Sequence, residues 1–177
     1  MKRGYIHVYT GDGGGKTTAA LGVALRSLGH GRRVAVVQFM KGKKDLGEWE
    51  IQMRLGEKLG SHYHIYQFGK DGELDVKRVS QEDKDRANQA LGFAKAEMLE
   101  KLKPQLLILD EINLAAARGL VSVDDVISML KFVPHGVDIY LTGRKAPRKF
   151  RQIADFVTVI KDKKRPKYIP VRKGIDY

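Results

Sequence analysis

A glycine-rich turn between a β-forming run and an amphipathic stretch places the strongest constraint on what this chain can fold into. Residues 5–9 are rich in β-forming side chains and are followed by four glycines within residues 11–15. Residues 17–28 carry apolar side chains at helical spacing and end at a glycine. Residues 34–39 form a continuous, largely apolar run, as in a strand buried on both faces. Together the three segments predict a strand–helix–strand unit.

Strands and helices continue to alternate along the rest of the chain. Four more strands are predicted by apolar runs, at 64–68, 106–109, 137–141 and 156–160. Three more helices are predicted by the spacing of apolar residues and by capping residues, at 46–59, 80–103 and 122–132. Such alternation is typical of the α/β class, with a mostly parallel β-sheet covered by helices on both faces. We expect one domain over residues 1–177, with a basic tail from about 161.

The net charge of +12 comes from the two ends of the chain. Residues 1–44 hold nine Lys and Arg against one acid, and residues 143–177 hold twelve against three. The ends therefore attract anions, which makes a polyphosphate nucleotide or a nucleic acid a candidate ligand. A basic surface that serves only solubility is the alternative.

Cysteine is absent from the sequence. This excludes disulfides, thiolate metal sites, iron–sulfur ligation and a cysteine nucleophile, and it suits a reducing compartment. No 18 consecutive residues are apolar, so we predict no membrane span. A cytoplasmic protein is the expectation.

The string Gly11-Asp12-Gly13-Gly14-Gly15-Lys16-Thr17 predicts a P-loop that holds the triphosphate of ATP. Its glycines let successive backbone N–H groups approach phosphate oxygens, and the helix behind them adds partial positive charge. Lys16 supplies a positive charge for the phosphates, and Thr17 a hydroxyl for Mg²⁺. Thr10 stands where the usual pattern has glycine, so the loop is a variant.

Two further motifs follow predicted strands. Asp110 and Glu111 end the apolar run at 106–109, where a carboxylate can hold Mg²⁺ opposite Thr17. Arg144 follows the run at 137–141, where an arginine can clamp a phosphate bidentately. The alternatives are an exposed acidic turn and a solvated arginine.

The chain resembles the cob(I)yrinic acid a,c-diamide adenosyltransferases over nearly its whole length. The resemblance rests on the P-loop string Tyr9–Gly22 and on the segment Val36–Gly42, which contains Gln-Phe-Met-Lys-Gly. It continues in Leu-Asp-Glu-Ile-Asn at 109–113, Leu-Thr-Gly-Arg at 141–144, Ala-Asp-Phe-Val-Thr at 154–158 and Lys-Gly-Ile-Asp-Tyr at 173–177. The P-loop is shared by many proteins, whereas the combination is specific.

The resemblance implies transfer of the 5′-deoxyadenosyl group of ATP to the cobalt of a reduced corrinoid, with triphosphate as the leaving group. It also implies a RecA-like P-loop fold, a homodimer, bound Mg²⁺ and a C-terminal segment that closes over the substrates. Lys16, Glu111 and Arg144 would be the catalytic residues, and Thr17 and Glu111, with Asp110, would hold the metal. The nucleotide would be bound by the P-loop and by three residues outside it, namely Thr18, Arg26 and Arg144.

The corrinoid side of the resemblance is less complete. Many members carry a Gly-Phe-x-Trp segment thought to displace the lower axial ligand of cobalt, and the corresponding stretch at 67–75 has no tryptophan. Phe68 is either a wedge of that kind or a buried strand aromatic. The acceptor, cobalamin or its precursor cob(I)yrinic acid a,c-diamide, stays open, and an external electron-donor protein, such as a flavoprotein, is expected to supply the electrons. A nucleic-acid-stimulated P-loop ATPase is the alternative function, although a nucleic-acid partner is not expected.

Overall fold

The computed structural model describes residues 4–43, 45–70, 79–168 and 170–175. The strands are β1 Ile6–Thr10, β2 Val34–Phe39, β3 Tyr63–Phe68, β4 Leu106–Asp110, β5 Asp138–Thr142 and β6 Phe156–Val159. The helices are α1 Lys16–Gly29, α2 Gly47–Leu59, α3 Gln81–Phe93, α4 Ile112–Ala117, α5 Val123–Lys131 and α6 Arg148–Ile153. A 3₁₀ turn spans Gly60–His62, and α3 continues as a π-helix over Ala94–Leu102.

The predicted strands and long helices are confirmed. The Ser80 cap is a full capping box with Asp83, and Ser122 caps α5. The sequence reading missed α4 and α6, because a six-residue helix is too short to show an apolar period. The predicted helix over 80–103 is continuous, but its last two turns are π-helical.

Within the described residues, the six strands are all parallel and lie in one sheet, in the order β3-β2-β4-β5-β1-β6. Successive side chains of β2 pack on opposite faces. Val34 and Val36 join the cluster under α1, whereas Ala35 and Val37 join the cluster under α3, α4 and α5. The predicted parallel sheet with helices on both faces is therefore confirmed.

The carboxyl ends of the strands all lie at one edge of the sheet, because every strand runs in the same direction. Polar residues collect there. Thr10, Asp110 and Thr142 are the last residues of β1, β4 and β5, and all three are buried. Ligand sites of open parallel sheets form at this edge.

No helix in the part of the chain that the structure describes combines the length and the apolar character needed to cross a membrane.

Candidate active site

The glycine-rich loop forms the turn between β1 and α1. Its backbone is left-handed at Gly11 (φ 104°) and Gly15 (φ 91°), a conformation that costs other residues energy. The Lys16 side chain is buried, and its Nζ lies 2.5 Å from the carbonyl oxygen of Gly13. Burial lowers the pKa of Lys16, and the nearby Glu111 carboxylate opposes that shift. Peptide N–H groups and one ammonium group thus meet at the start of α1, an arrangement suited to phosphate.

Thr10 has a structural reason to replace the usual glycine. Its side chain is buried at the end of β1, and its Oγ1 accepts a hydrogen bond of 3.1 Å from the backbone N–H of Ala146. This bond ties the glycine-rich loop to the segment after β5, which carries Arg144.

Asp110 is the centre of a hydrogen-bonded network. Its Oδ1 accepts from the hydroxyls of Thr17 at 2.7 Å and Thr142 at 2.6 Å. Its Oδ2 lies 2.7 Å from the Lys41 ammonium and 3.1 Å from the amide nitrogen of Gln38. Complete burial would raise the pKa of Asp110, but Lys41 and the two hydroxyl donors outweigh it and hold that pKa below its usual range. Asp110 is therefore a buried anion with four donors.

Glu111 and Arg144 are close enough to Lys16 to influence its pKa through their charges. Glu111 has a left-handed backbone (φ 63°), and its N–H donates to Thr142 Oγ1 at 3.0 Å. Burial, followed by the charge of Asp110, raises the pKa of Glu111, while Lys16 and Arg144 are close enough to oppose the rise. A strained conformation in a non-glycine residue is a common mark of a functional position. The three predicted catalytic residues are thus brought together.

Several polar residues of this network were missed by the sequence reading. Gln38 donates to Glu48 at 2.9 Å as well as to Asp110, and the Lys41 ammonium lies 3.6 Å from the same Glu48 oxygen. Buried Asn113 donates to the backbone carbonyls at the ends of β1 and β5. A polar side chain at the end of an otherwise apolar strand, such as Gln38 in Val34–Phe39, was the available signal.

The basic tail begins against the glycine-rich loop. The Gly13 N–H donates to the Ile160 carbonyl at 3.0 Å, and the Gly14 N–H donates to Asp162 Oδ1 at 3.2 Å. A Cβ on Gly11 would lie 2.2 Å from the same Ile160 carbonyl oxygen. The loop and the start of the tail are therefore in direct backbone contact.

Gly11→Ala is expected to lower the free energy of unfolding by about 2 kcal/mol, because it combines a clash with Ile160 and a disfavoured positive φ. Urea denaturation followed by circular dichroism measures this loss. The matched control is Gly22→Ala, since Gly22 lies in α1 with open space around it, and alanine there should stabilise the helix by up to about 1 kcal/mol. Equal stability of the two variants would contradict the tight contact between loop and tail.

Arg26, which the resemblance places in contact with ATP, lies away from this cluster. Arg26 lies ten residues beyond Lys16 on α1, about 15 Å along the helix axis, and it lines a cleft of about 410 Å³ at the amino ends of β1 and β5. Within one chain, the structure does not bring Arg26 to the loop. Phe68 is partly buried and packs against the core, with its ring 5.3 Å from that of Phe93, which agrees with the role of a strand aromatic. Residues 71–75 of the stretch compared with Gly-Phe-x-Trp lie outside the described residues.

The parallel sheet, the glycine-rich loop between β1 and α1, and the carboxylates at the end of β4 define a P-loop nucleotide-binding protein. Residues 2–177 match the family described as ATP:corrinoid adenosyltransferase BtuR/CobO/CobP. The chain belongs to that family, which confirms the resemblance seen in the sequence and the adenosyltransferase class predicted from it.

The similar proteins include relatives named corrinoid adenosyltransferase. A corrinoid adenosyltransferase of Escherichia coli K12 is 33% identical over 178 residues, 99% of this chain and 87% of that protein. An uncharacterized protein of Nostoc sp. PCC 7120 is 35% identical over 172 residues, and the match covers 93% of this chain but 45% of that protein. The solved KaiC-like protein of Pyrococcus horikoshii OT3 has a TM-score of 0.56 at 19% identity, covering 92% of this chain and 75% of that one. This likeness confirms the RecA-like fold.

Proposed function

We propose that this chain transfers the 5′-deoxyadenosyl group of ATP to the cobalt of a reduced corrinoid and releases inorganic triphosphate. The observation that carries the proposal is the convergence of Lys16, Glu111 and Arg144 with the loop amides at one edge of the sheet, in a chain of this family. ATP and corrinoid substrates fit the family, and the nucleic-acid-stimulated ATPase is not favoured.

The proposed reaction asks the protein for positioning and charge stabilisation. The electron pair of Co(I) forms the bond to the ribose C5′. The bond between C5′ and the triphosphate oxygen breaks, and the triphosphate leaves with the electron pair of that C5′–O bond. The attacking atom belongs to the corrinoid and no proton is transferred, so neither a protein nucleophile nor a general base is required. Lys16, Arg144 and the loop amides would hold the triphosphate and stabilise the negative charge that grows on it.

The residues present fit Mg²⁺, which would neutralise part of the charge of the triphosphate. Thr17 donates its hydroxyl hydrogen to Asp110, so the lone pairs of Thr17 Oγ1 stay available to a cation. Glu111 adds a half-buried carboxylate, and such oxygen ligands suit magnesium. Thr17 and Glu111 would therefore hold the ion. Both oxygens of Asp110 already accept two donors each, which favours contact through water and an orienting role over direct ligation.

The proposal extends to the remaining expectations from the sequence. We propose that the loop residues Gly11–Thr17, with Thr18, bind the triphosphate. The homodimer, the cytoplasmic location and the external electron-donor protein stay predictions from the family resemblance and the sequence. An ATP contact by Arg26 also stays a prediction, and it requires an arrangement other than the one within this chain.

Anaerobic incubation of the protein with Mg-ATP and chemically reduced cobalamin tests the function. We expect the absorption spectrum of an alkylated corrinoid and one equivalent of triphosphate, measured by phosphorus NMR. A parallel reaction with cob(I)yrinic acid a,c-diamide ranks the two acceptors. Orthophosphate without alkylation, produced faster when DNA or RNA is added, would instead identify an ATPase and refute the proposal.

A further inference from the structure

An acidic side chain from the tail accepts a hydrogen bond from one of the loop amides that we propose to bind phosphate. Asp162 is the second residue after Ile160, and its Oδ1 accepts the hydrogen bond from the Gly14 N–H at 3.2 Å. A Cβ on Gly13 would lie 2.9 Å from the Asp162 backbone nitrogen and 2.9 Å from its Oδ1. The carboxylate therefore lies directly against the loop.

A P-loop amide that donates to a carboxylate cannot donate the same hydrogen to a phosphate oxygen. Loop amides of this kind bind anions by hydrogen bonding and by the positive end of the helix dipole, and a carboxylate is an anion of similar donor preference. We propose that Asp162 is an internal competitor of the triphosphate, which must leave the Gly14 amide when the nucleotide binds and which promotes release of the triphosphate product. This inference rests on the proposed function of the same loop.

The electrostatics around Asp162 fit a competitor. Its negative charge is close enough to Lys16 to raise the pKa of that lysine against the effect of burial, so it shares the cation that the phosphates would use. Like charges close together repel, so the Asp162 carboxylate would lower the affinity of the loop for triphosphate. Arg165, three residues further along the tail, has its Nη1 4.0 Å from Asp162 Oδ2 and offers a partner for the displaced side chain.

The competitor affects product release more than adenosyl transfer. Triphosphate keeps every charge of the ATP phosphates and gains one at the broken bond, so the repulsion is larger for the product than for the substrate. A loop that binds ATP and triphosphate equally tightly would release the triphosphate slowly and so slow turnover. Such uniform binding would also not accelerate the chemical step. Asp162 would weaken binding of both and would weaken triphosphate binding most.

The test uses the full chain with the single change Asp162→Asn, which keeps an oxygen acceptor for the Gly14 N–H and removes the charge. Isothermal titration at fixed ionic strength measures the Kd of magnesium triphosphate and of Mg-ATP. We expect triphosphate to bind about tenfold more tightly, equivalent to about 1.4 kcal/mol, and ATP to tighten by a smaller factor. The matched control is Asp124→Asn, the same charge change at an exposed residue that pairs with Lys149 on the surface.

Asp162→Ala separates a charge effect from a structural effect. If Asp162 acts as a competing anion, alanine also tightens triphosphate binding, and the apparent KM for ATP falls in both variants. If Asp162 only holds the loop in shape, asparagine leaves the Kd unchanged and alanine weakens binding, which overturns the inference. A wild-type protein that binds neither ATP nor triphosphate would remove the proposed function itself, and the inference with it.

Discussion

Lys16→Ala is expected to lower kcat for adenosyl transfer by about 10²–10³-fold, the loss seen when one preorganised donor is removed from a site that stabilises developing charge. Lys16 is the buried cation of the glycine-rich loop, and its Nζ is fixed by the Gly13 carbonyl at the start of α1. Its contribution grows as negative charge moves onto the departing triphosphate, so the loss should appear in kcat as well as in the KM for ATP. Initial rates of cobalt–carbon bond formation measure both constants.

The control for this variant is Lys149→Ala. Lys149 is an exposed lysine that pairs with Asp124, and an exposed pair of this kind contributes at most about 1 kcal/mol to stability. Its removal makes the same change in net charge and should leave kcat unaltered. Wild-type rates from the Lys16 variant would mean that the loop does not hold the triphosphate.

Asp110→Asn is expected to cost about 3 kcal/mol of unfolding free energy in addition to most of the activity. The substitution keeps the volume of the side chain but removes the nearer, fully buried counter-ion of the Lys41 ammonium and leaves it only the Glu48 carboxylate, 3.6 Å away. It also turns one oxygen acceptor into an NH₂ donor, in a place where all four neighbouring groups donate. We expect a loss of unfolding free energy at the lower end of the range for buried ion pairs, because 25% of the Lys41 side chain is accessible to solvent. Urea denaturation measures it.

The double variant Asp110→Asn, Lys41→Met tests the cause of that loss. Methionine removes the ammonium that has lost its nearer counter-ion and keeps an unbranched side chain, so it should restore more than half of the lost stability without restoring activity. Additive losses in the double variant would show that the two charges do not interact in solution. Restored activity would show that Asp110 does not orient Thr17.

The sequence predicted the fold because its signals were local and agreed with one another. Apolar runs marked the strands, serine caps marked α3 and α5, and the glycines marked the turn after β1. The loop, Lys16 and the β4 carboxylates could also be found, because the phosphate site is built from residues contiguous in sequence or at the end of an apolar strand. Arg144 could be predicted at the same edge of the sheet, because it directly follows an apolar run that forms a strand.

The remaining features depend on contacts between distant segments. The four donors of Asp110 come from three separate segments of the chain, the start of α1, the end of β2 and the end of β5, and no spacing in the sequence brings these segments together. Asp162 is one charge in a basic tail, and its bond to Gly14 joins residues 148 positions apart. The place of Arg26 at the far end of α1 follows from helix length, a geometric limit that a motif match does not include.

The position of β1 in the sheet has a consequence for biosynthesis. Its two neighbours are β5 and β6, so Val8 pairs with residues 141 and 157, made more than 130 positions later. A nascent chain that has reached only α5 therefore carries the complete glycine-rich motif on a strand with both edges unpaired, which exposes it to aggregation. Closing contacts of such long separation is slow. We expect nucleotide to bind only after the last strand has emerged from the ribosome.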